Sequence, residues 1–202
     1  MSDETEKNPT PFHIKPMKKG DLLHMNDLAR VIAQPGDDKR DLAVKVRGYI
    51  NRGHLFPVGR DKDDKRGALL FDAASALTAA AMVAAAETGL SGKEHFQRLA
   101  LALQAWTGNP GEKAPRCPAA YIFQTFNPTA PAQGWGLELH TSRHVETGKV
   151  ALRAAVRHGE NGYLGEDVET IPDRHVPVAS LLIPLDALLP AILANLRKGK
   201  MN

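Results

Sequence analysis

Val46-Arg47-Gly48-Tyr49-Ile50-Asn51-Arg52-Gly53-His54-Leu55-Phe56-Pro57, running on through Gly59-Arg60 to Ala68-Leu69-Leu70-Phe71-Asp72, is the stretch that decides how this chain is read. Its first part has the pattern of a basic helix that Gly53 stops, because glycine takes the left-handed conformation that closes a helix without a Cβ penalty. Asp37 or Asp38 is placed to cap that helix, expected over Lys39 to Arg52. Leu42, Val46, Tyr49 and Ile50 form its apolar stripe, leaving Lys39, Arg40, Lys45, Arg47 and Arg52 on the other faces. Leu55 to Val58 and Ala68 to Phe71 are short apolar segments around the charged run 59–67. Glycines at both ends of that run predict a hairpin with a mobile tip.

Upstream, Leu22 to Ala33 carries a first helix, with Asn26 as expected N-cap and Leu28, Val31 and Ile32 on one face. Gln34-Pro35-Gly36 breaks it, since proline cannot continue the hydrogen-bond ladder. Downstream, Asp72 is placed to cap a helix from Ala73 to about Thr88, ended by Gly89. Ser91 and Glu94 have the spacing of a capping box opening another, to about Trp106. Phe96, Leu99, Ala100 and Leu103 on that helix read as core. Thr107 to Pro118, rich in glycine and proline, reads as a linker.

The pattern then changes. Tyr121 to Phe126, Gly134 to His140, Val150 to His158 and the apolar Val178 to Ile183 read as strands. Leu185 to Lys198 has helical spacing, and Pro190 fits it without a kink if the helix begins near Asp186 or later. The expected fold class is α+β: a flexible tail over 1–19, a winged helix-turn-helix unit over 20–106, the linker over 107–118, and an α+β oligomerisation or effector domain over 119–202. That second domain would be a small antiparallel sheet with a C-terminal helix.

Charge is distributed unevenly. Between Lys39 and Arg66 there are nine basic residues against four acidic ones, an excess of five, whereas the whole chain carries only +3. The basic character is a patch, the signature expected of a surface that meets nucleic acid. A single cysteine, Cys117, excludes an intramolecular disulfide. With no charged-then-apolar leader, the expectation is a cytoplasmic protein.

Asn26-Asp27-Leu28-Ala29-Arg30, then Val46 to Leu55, then Pro57-Val58-Gly59-Arg60 and Leu70-Phe71-Asp72, resembles the DNA-binding domain of MerR-type regulators over roughly residues 22–105. Gly89-Leu90-Ser91 falls at that family's turn between its third and fourth helices. The resemblance implies a bacterial-type transcription regulator whose second helix enters the major groove while the wing follows phosphates. Carried over residue by residue, it implies that Arg47 and Tyr49 contact the DNA backbone and that Arg60, Lys62, Lys65 and Arg66 line the wing. The chain departs from the family in its longer connection from Gln34 to Asp38, in Gly48 between Arg47 and Tyr49, and in lacking a long dimerisation coiled coil.

The expected DNA-binding set is therefore Lys39, Arg40, Lys45, Arg47, Tyr49, Arg52, Arg60, Lys62, Lys65 and Arg66. Double-stranded DNA is the expected partner, with a homodimer through the C-terminal domain and a contact to RNA polymerase; no membrane, cofactor or metal is expected. His140 and His144 have ligand-like spacing but read as scattered surface histidines, with His158 and His175. Cys117 could be a thiol activated by nearby cations, though a plain linker cysteine is the simpler reading. Glu166, Asp167 and Glu169 read as a solvated acidic loop. Tyr121, Phe123, Trp135 and the apolar face from Leu185 to Leu196 offer a binding surface or core. The chain has no phosphate-binding glycine loop, Gly-x-Ser-x-Gly elbow or His-Glu-x-x-His, so no enzyme is expected. The alternative is a protein-interaction or accessory module, of phage or excisionase-like architectural type, that reuses a winged helix.

Overall fold

The computed structural model describes residues 22–105, 117–127, 133–159, 162–164 and 171–199. These residues form six helices and two antiparallel sheets, a mixed α+β architecture. The tail over 1–19, most of the linker and the acidic loop at Glu166, Asp167 and Glu169 lie outside the described residues.

At the centre is α3 (Ala73–Glu87), whose alanine-rich sequence favours helix and presents only small side chains to its neighbours. It is buried on every side, and α1 (Met25–Ile32), α2 (Lys39–Asn51), α4 (Lys93–Gln104), α5 (Pro118–Thr125) and α6 (Leu185–Gly199) all touch it. Asp72 starts it as expected, with a full capping box: the Asp72 carboxylate accepts from Ser75 N–H at 2.8 Å, and Ser75 Oγ accepts from Asp72 N–H at 3.5 Å. Asp38 likewise caps α2, accepting from Arg40 N–H, and Gly53 has the expected positive φ of 69°.

Several helix starts and strands differ from the sequence reading. Helix α1 begins at Met25 with His24 as its N-cap, so Asn26 lies inside it. Leu23 exchanges two backbone hydrogen bonds with Phe71, and this bridge sets the entry of the helix. Helix α4 begins at Lys93 after Gly92 (φ 101°), so Ser91 and Glu94 form no capping box, and it ends at Gln104. The hairpin pairs β1 (Gly59–Arg60) with β2 (Leu69–Leu70), later than Leu55 to Val58, because Leu55 is withdrawn into the core at 1% exposure.

Tyr121 to Phe126, expected as a strand, is helical: α5 begins with Pro118 at its first turn and buries Ala119 and Ile122. A short apolar run has no periodicity to tell the two apart, and proline preset for helix entry decides it here. The larger sheet comprises β3 (Trp135–His144), β4 (Val150–His158), β5 (Tyr163–Leu164) and β6 (His175–Pro184), all antiparallel, in the order β5-β4-β3-β6. Its inner face buries Trp135, Leu137, Leu139, Val156 and Ile183 towards α4 and α6. The Asp186 carboxylate ties α6 to the sheet by accepting from Gly134 N–H at 2.7 Å and Trp135 N–H at 3.2 Å. Helix α6 begins at Leu185, so Pro190 sits inside it and removes the bond that would reach the Asp186 carbonyl.

One hydrophobic cluster runs through both parts of the chain, from Leu28, Val46 and Leu103 to Ile122, Leu137, Leu189 and Ile192. Asn195 of α6 donates to the carbonyls of Val31 and Ala33, both at 3.1 Å, and so closes the C-terminal end of α1. Residues before and after the linker thus share a core. Among the described residues no helix is long and apolar enough to cross a membrane.

His54 lies in this core at 1% exposure, with its ring 6.1 Å from that of Phe96 and no hydrogen-bond partner for either ring nitrogen among the described residues. Burial, aided by the Arg52 and Lys93 charges, holds its pKa below the ordinary value. The fold therefore keeps a neutral imidazole, while the unfolded chain takes up a proton near pH ~6.5. Stability from this group is full above that pH and declines as pH falls below it. Urea melts of His54→Leu should vary less with pH between about 7 and 5 than those of the wild type; parallel curves would place the acid sensitivity elsewhere.

Candidate nucleic-acid interface

Helix α2 turns Leu42, Val46 and Tyr49 inward, and the opposite stripe, Arg40, Val44, Arg47 and Asn51, faces solvent. These four follow i, i+4, i+7, i+11 spacing, one line along a helix. Val44 is 68% exposed, so the line mixes cations with an apolar contact surface. Beside it stands the β1–β2 hairpin, across a cleft of about 440 Å³ lined by Arg47, Ile50, Asn51, Ala68 and Leu69, with His24, Met25 and Asn26 from the start of α1 between them. The helix and hairpin that are adjacent in sequence thus form two walls of one groove.

Arg60, Lys62, Lys65 and Arg66 are all exposed on the hairpin. Arg60 donates to the Gly67 carbonyl at 3.2 Å, which lays its guanidinium along the hairpin. The tip carries local turns: Asp61 accepts from Asp63 N–H at 3.0 Å, and Asp64 accepts from Arg66 N–H at 2.7 Å. His24 Nε2 approaches the Asp61 carboxylate at 3.6 Å and links the tip to the start of α1.

The remaining cations of α2 are divided between its flanks. Lys45 and Arg52 share one line of the helix, and Lys45 reaches Glu87 of α3 at 3.6 Å. Lys39, in the first turn, lines a different cleft, with α6. Tyr49 is corrected outright as a surface contact: it is 4% exposed, its hydroxyl donates to the Met82 carbonyl at 3.2 Å, and its ring lies 5.5 Å from Phe96. Burial, against the opposing Arg52 charge, pushes its phenol up to about 12, so it is a neutral core hydrogen-bond donor.

Other sequence candidates are also relocated. His140 and His144 are four residues apart on one extended strand, roughly 13 Å, too far to share an ion. His140 is within hydrogen-bond distance of Glu138, and His144 Nδ1 accepts from the N–H groups of Glu146 and Thr147. Among the described residues no group of three or more His, Cys, Asp or Glu is placed to hold a metal. Burial pushes the Cys117 thiol up and the Asp72 charge adds to this, outweighing hydrogen bonds from Ala120 and Ala119, the reverse of an activated thiolate. Trp135 is core, stacked on His158 at 3.8 Å and edge-on to Tyr121 at 5.9 Å.

Two clusters escaped the sequence reading. Glu138, 7% exposed on the outer face of the sheet, accepts from Tyr163 OH at 2.8 Å, His140 Nε2 at 2.9 Å and Arg157 at 3.3 Å. A second cleft, lined by Arg30, Gln34, Lys39, Asn195 and Lys198, joins residues about 160 positions apart in the chain. Alternation along β3 could have put Glu138 and His140 on one face, but no local signal pairs Gln34 with Lys198. No family model matches the chain, and no curated protein matches it either.

Burial alone would raise the pKa of Glu138, but hydrogen bonds from His140, Tyr163 and Arg157 outweigh it and hold the carboxyl below its ordinary value. Its stabilisation is complete above the ordinary Glu range near ~4.3 and is lost as pH falls through the lower folded value. Glu138→Gln should cost about 1–3 kcal/mol at pH 7 in denaturant melts and remove that part of the acid limb. An unchanged stability would show the network to be energetically idle.

Proposed function

We propose that the chain is a sequence-specific, DNA-binding transcriptional regulator of MerR-like type, in which α2 and the β1–β2 hairpin act as recognition helix and wing. The observation that carries this reading is the exposed line Arg40, Val44, Arg47 and Asn51 beside a hairpin bearing four exposed cations, with one groove between them. Arginine can read guanine edges bidentately, asparagine can read adenine, and an exposed valine can contact a thymine methyl. Hairpin cations supply the phosphate contacts that fix register. Lys45 and Arg52, on the flank nearer α3, add to the field more than to base contact. Tyr49 acts by anchoring α2 to α3.

Fluorescence anisotropy of labelled duplex DNA against the full chain, at several salt concentrations, tests this reading. The wild type should bind with a steep fall of log affinity against log salt. Lys62→Ala with Lys65→Ala on the hairpin should reduce that slope by about 2 and weaken binding to every sequence tried, whereas Arg40→Ala with Arg47→Ala should relax discrimination between sequences. Absence of salt-dependent binding would sink the regulator reading. It would favour the alternative, a protein-binding accessory module, for which the tip offers one argument: its three acidic residues (Asp61, Asp63, Asp64) balance Lys62, Lys65 and Arg66.

The reading includes a homodimer through the C-terminal sheet. Strand β6 is at the sheet edge, and among the described residues no strand pairs with its outer side. Its ten residues carry no charge other than His175, and Val176, Val178 and Leu182 are 47%, 54% and 54% exposed. Proteins usually protect such an edge with lysine or a cover, and an uncharged edge pairs with its own copy without repulsion. Sedimentation velocity should find a dimer for the wild type and a monomer for Leu182→Lys; a wild-type monomer at high micromolar concentration would remove this part of the reading.

A further inference from the structure

Between the α1–α2 turn and the last turns of α6 lies a cleft of about 530 Å³, lined by Arg30, Ala33, Gln34, Pro35 and Lys39 on one side and Ala191, Ala194, Asn195 and Lys198 on the other. The α6 residues follow i, i+3, i+4, i+7 spacing, a single helical line, and its two alanines make the room. The floor is apolar, formed by Ala33, Pro35, Ala191 and Ala194. Three cations stand around it with no acidic residue in the lining. Arg30 is held in place by Asp27 at 2.9 Å, while Lys39 and Lys198 form no ion pair with any described residue. Gln34 adds an unusual feature: its side-chain amide nitrogen is buried yet has no hydrogen-bond partner among the described residues. A buried donor without an acceptor costs free energy comparable to a lost hydrogen bond, so a ligand that supplies an acceptor is favoured there.

We propose that this cleft binds a small phosphate-bearing ligand. Its phosphate oxygens would face Lys39, Lys198 and Arg30, Gln34 Nε2, enclosed at the cleft wall, would reach them by a turn of its side chain, and the ligand's body would cover the alanine and proline surface. A phosphate presents acceptors in several directions and near neutral pH carries up to two negative charges, which suits donors converging from two sides of a cleft. The volume is within the range of small-molecule sites. Lys39 opens α2, and Asn195, in the same cleft, closes α1, so an occupied cleft links α6 to the turn between the two helices. Control of DNA binding through that link rests on the regulator reading; the anion site does not.

Isothermal titration calorimetry of the full chain with inorganic pyrophosphate, at constant ionic strength, tests the site. The wild type should give saturable one-to-one binding. Lys198→Gln, at an exposed position, should weaken it by about tenfold or more, and so should Gln34→Leu. Lys149→Gln, an exposed charge in the β3–β4 turn, should leave it unchanged. No saturable heat, or equal weakening by all three variants, would overturn the proposal. DNA anisotropy in the same buffers separates the two sources of phosphate. If Lys198→Gln weakens duplex binding and pyrophosphate gives no heat, the cleft holds a backbone phosphate of DNA, and the free ligand is ruled out. If pyrophosphate binds as stated while no duplex binds, the anion site stands and the regulator reading fails alone.

Discussion

Burial of α3 on all its faces is the constraint that the remaining structure obeys. A helix that is apolar all round cannot stop at one partner, so five other helices and the sheet are drawn in to cover it. Alanine makes this workable. Methyl-sized side chains let neighbouring helices approach closely, and the burial of Ala76, Leu77, Ala79, Ala81 and Met82 at 0% exposure leaves no room for water. The polar groups on α3 are satisfied locally: Thr78 donates to the Ala74 carbonyl, and Ser75 completes the cap with Asp72. The hydrogen bond from Tyr49 to Met82 then sets α2 against this centre.

That seating determines which charges of α2 are free. The buried stripe fixes the rotation of the helix, and rotation sorts its five cations into three directions. Arg40 and Arg47 face solvent, Arg47 in the cleft beside the hairpin; Lys45 and Arg52 are on the side of α3 and Glu87, and Lys39 faces the end of α6. A cluster that is continuous in sequence becomes two sites and a flank in space. The basic patch is one feature of composition but several surfaces in space.

The C-terminal part shows a similar division of roles between two faces of a sheet. The inner face carries Trp135, Leu137, Leu139 and Ile183 into the common core, and Asp186 locks α6 to the start of β3. The outer face carries Glu138 with its three donors. Period-two alternation places these sets on opposite sides, since successive side chains of a strand point apart. Strand β6 joins the two roles, contributing Ile183 to the core while leaving Val178 and Leu182 exposed at the edge.

Local chemistry made several elements legible from sequence. Asp38 and Asp72 as caps, Gly53 and Gly89 as stops, the buried line Leu42, Val46 and Tyr49, and the β4 strand follow from spacing and residue type alone. The α5 segment was not legible, because the six residues from Tyr121 to Phe126 are too few to carry a period that separates helix from strand. Nor was the Ser91 cap, which the bend at Gly92 overrides. What sequence by itself determined is which faces are apolar and where the chain turns, since these depend on neighbours within a few residues. Tertiary structure alone decided that the Tyr49 hydroxyl meets the Met82 carbonyl, that both parts of the chain share one interior, and that Gln34 and Lys39 line one cleft with Lys198. Those outcomes depend on packing between residues from about 30 to about 160 positions apart, and no local pattern records which distant surfaces fit together.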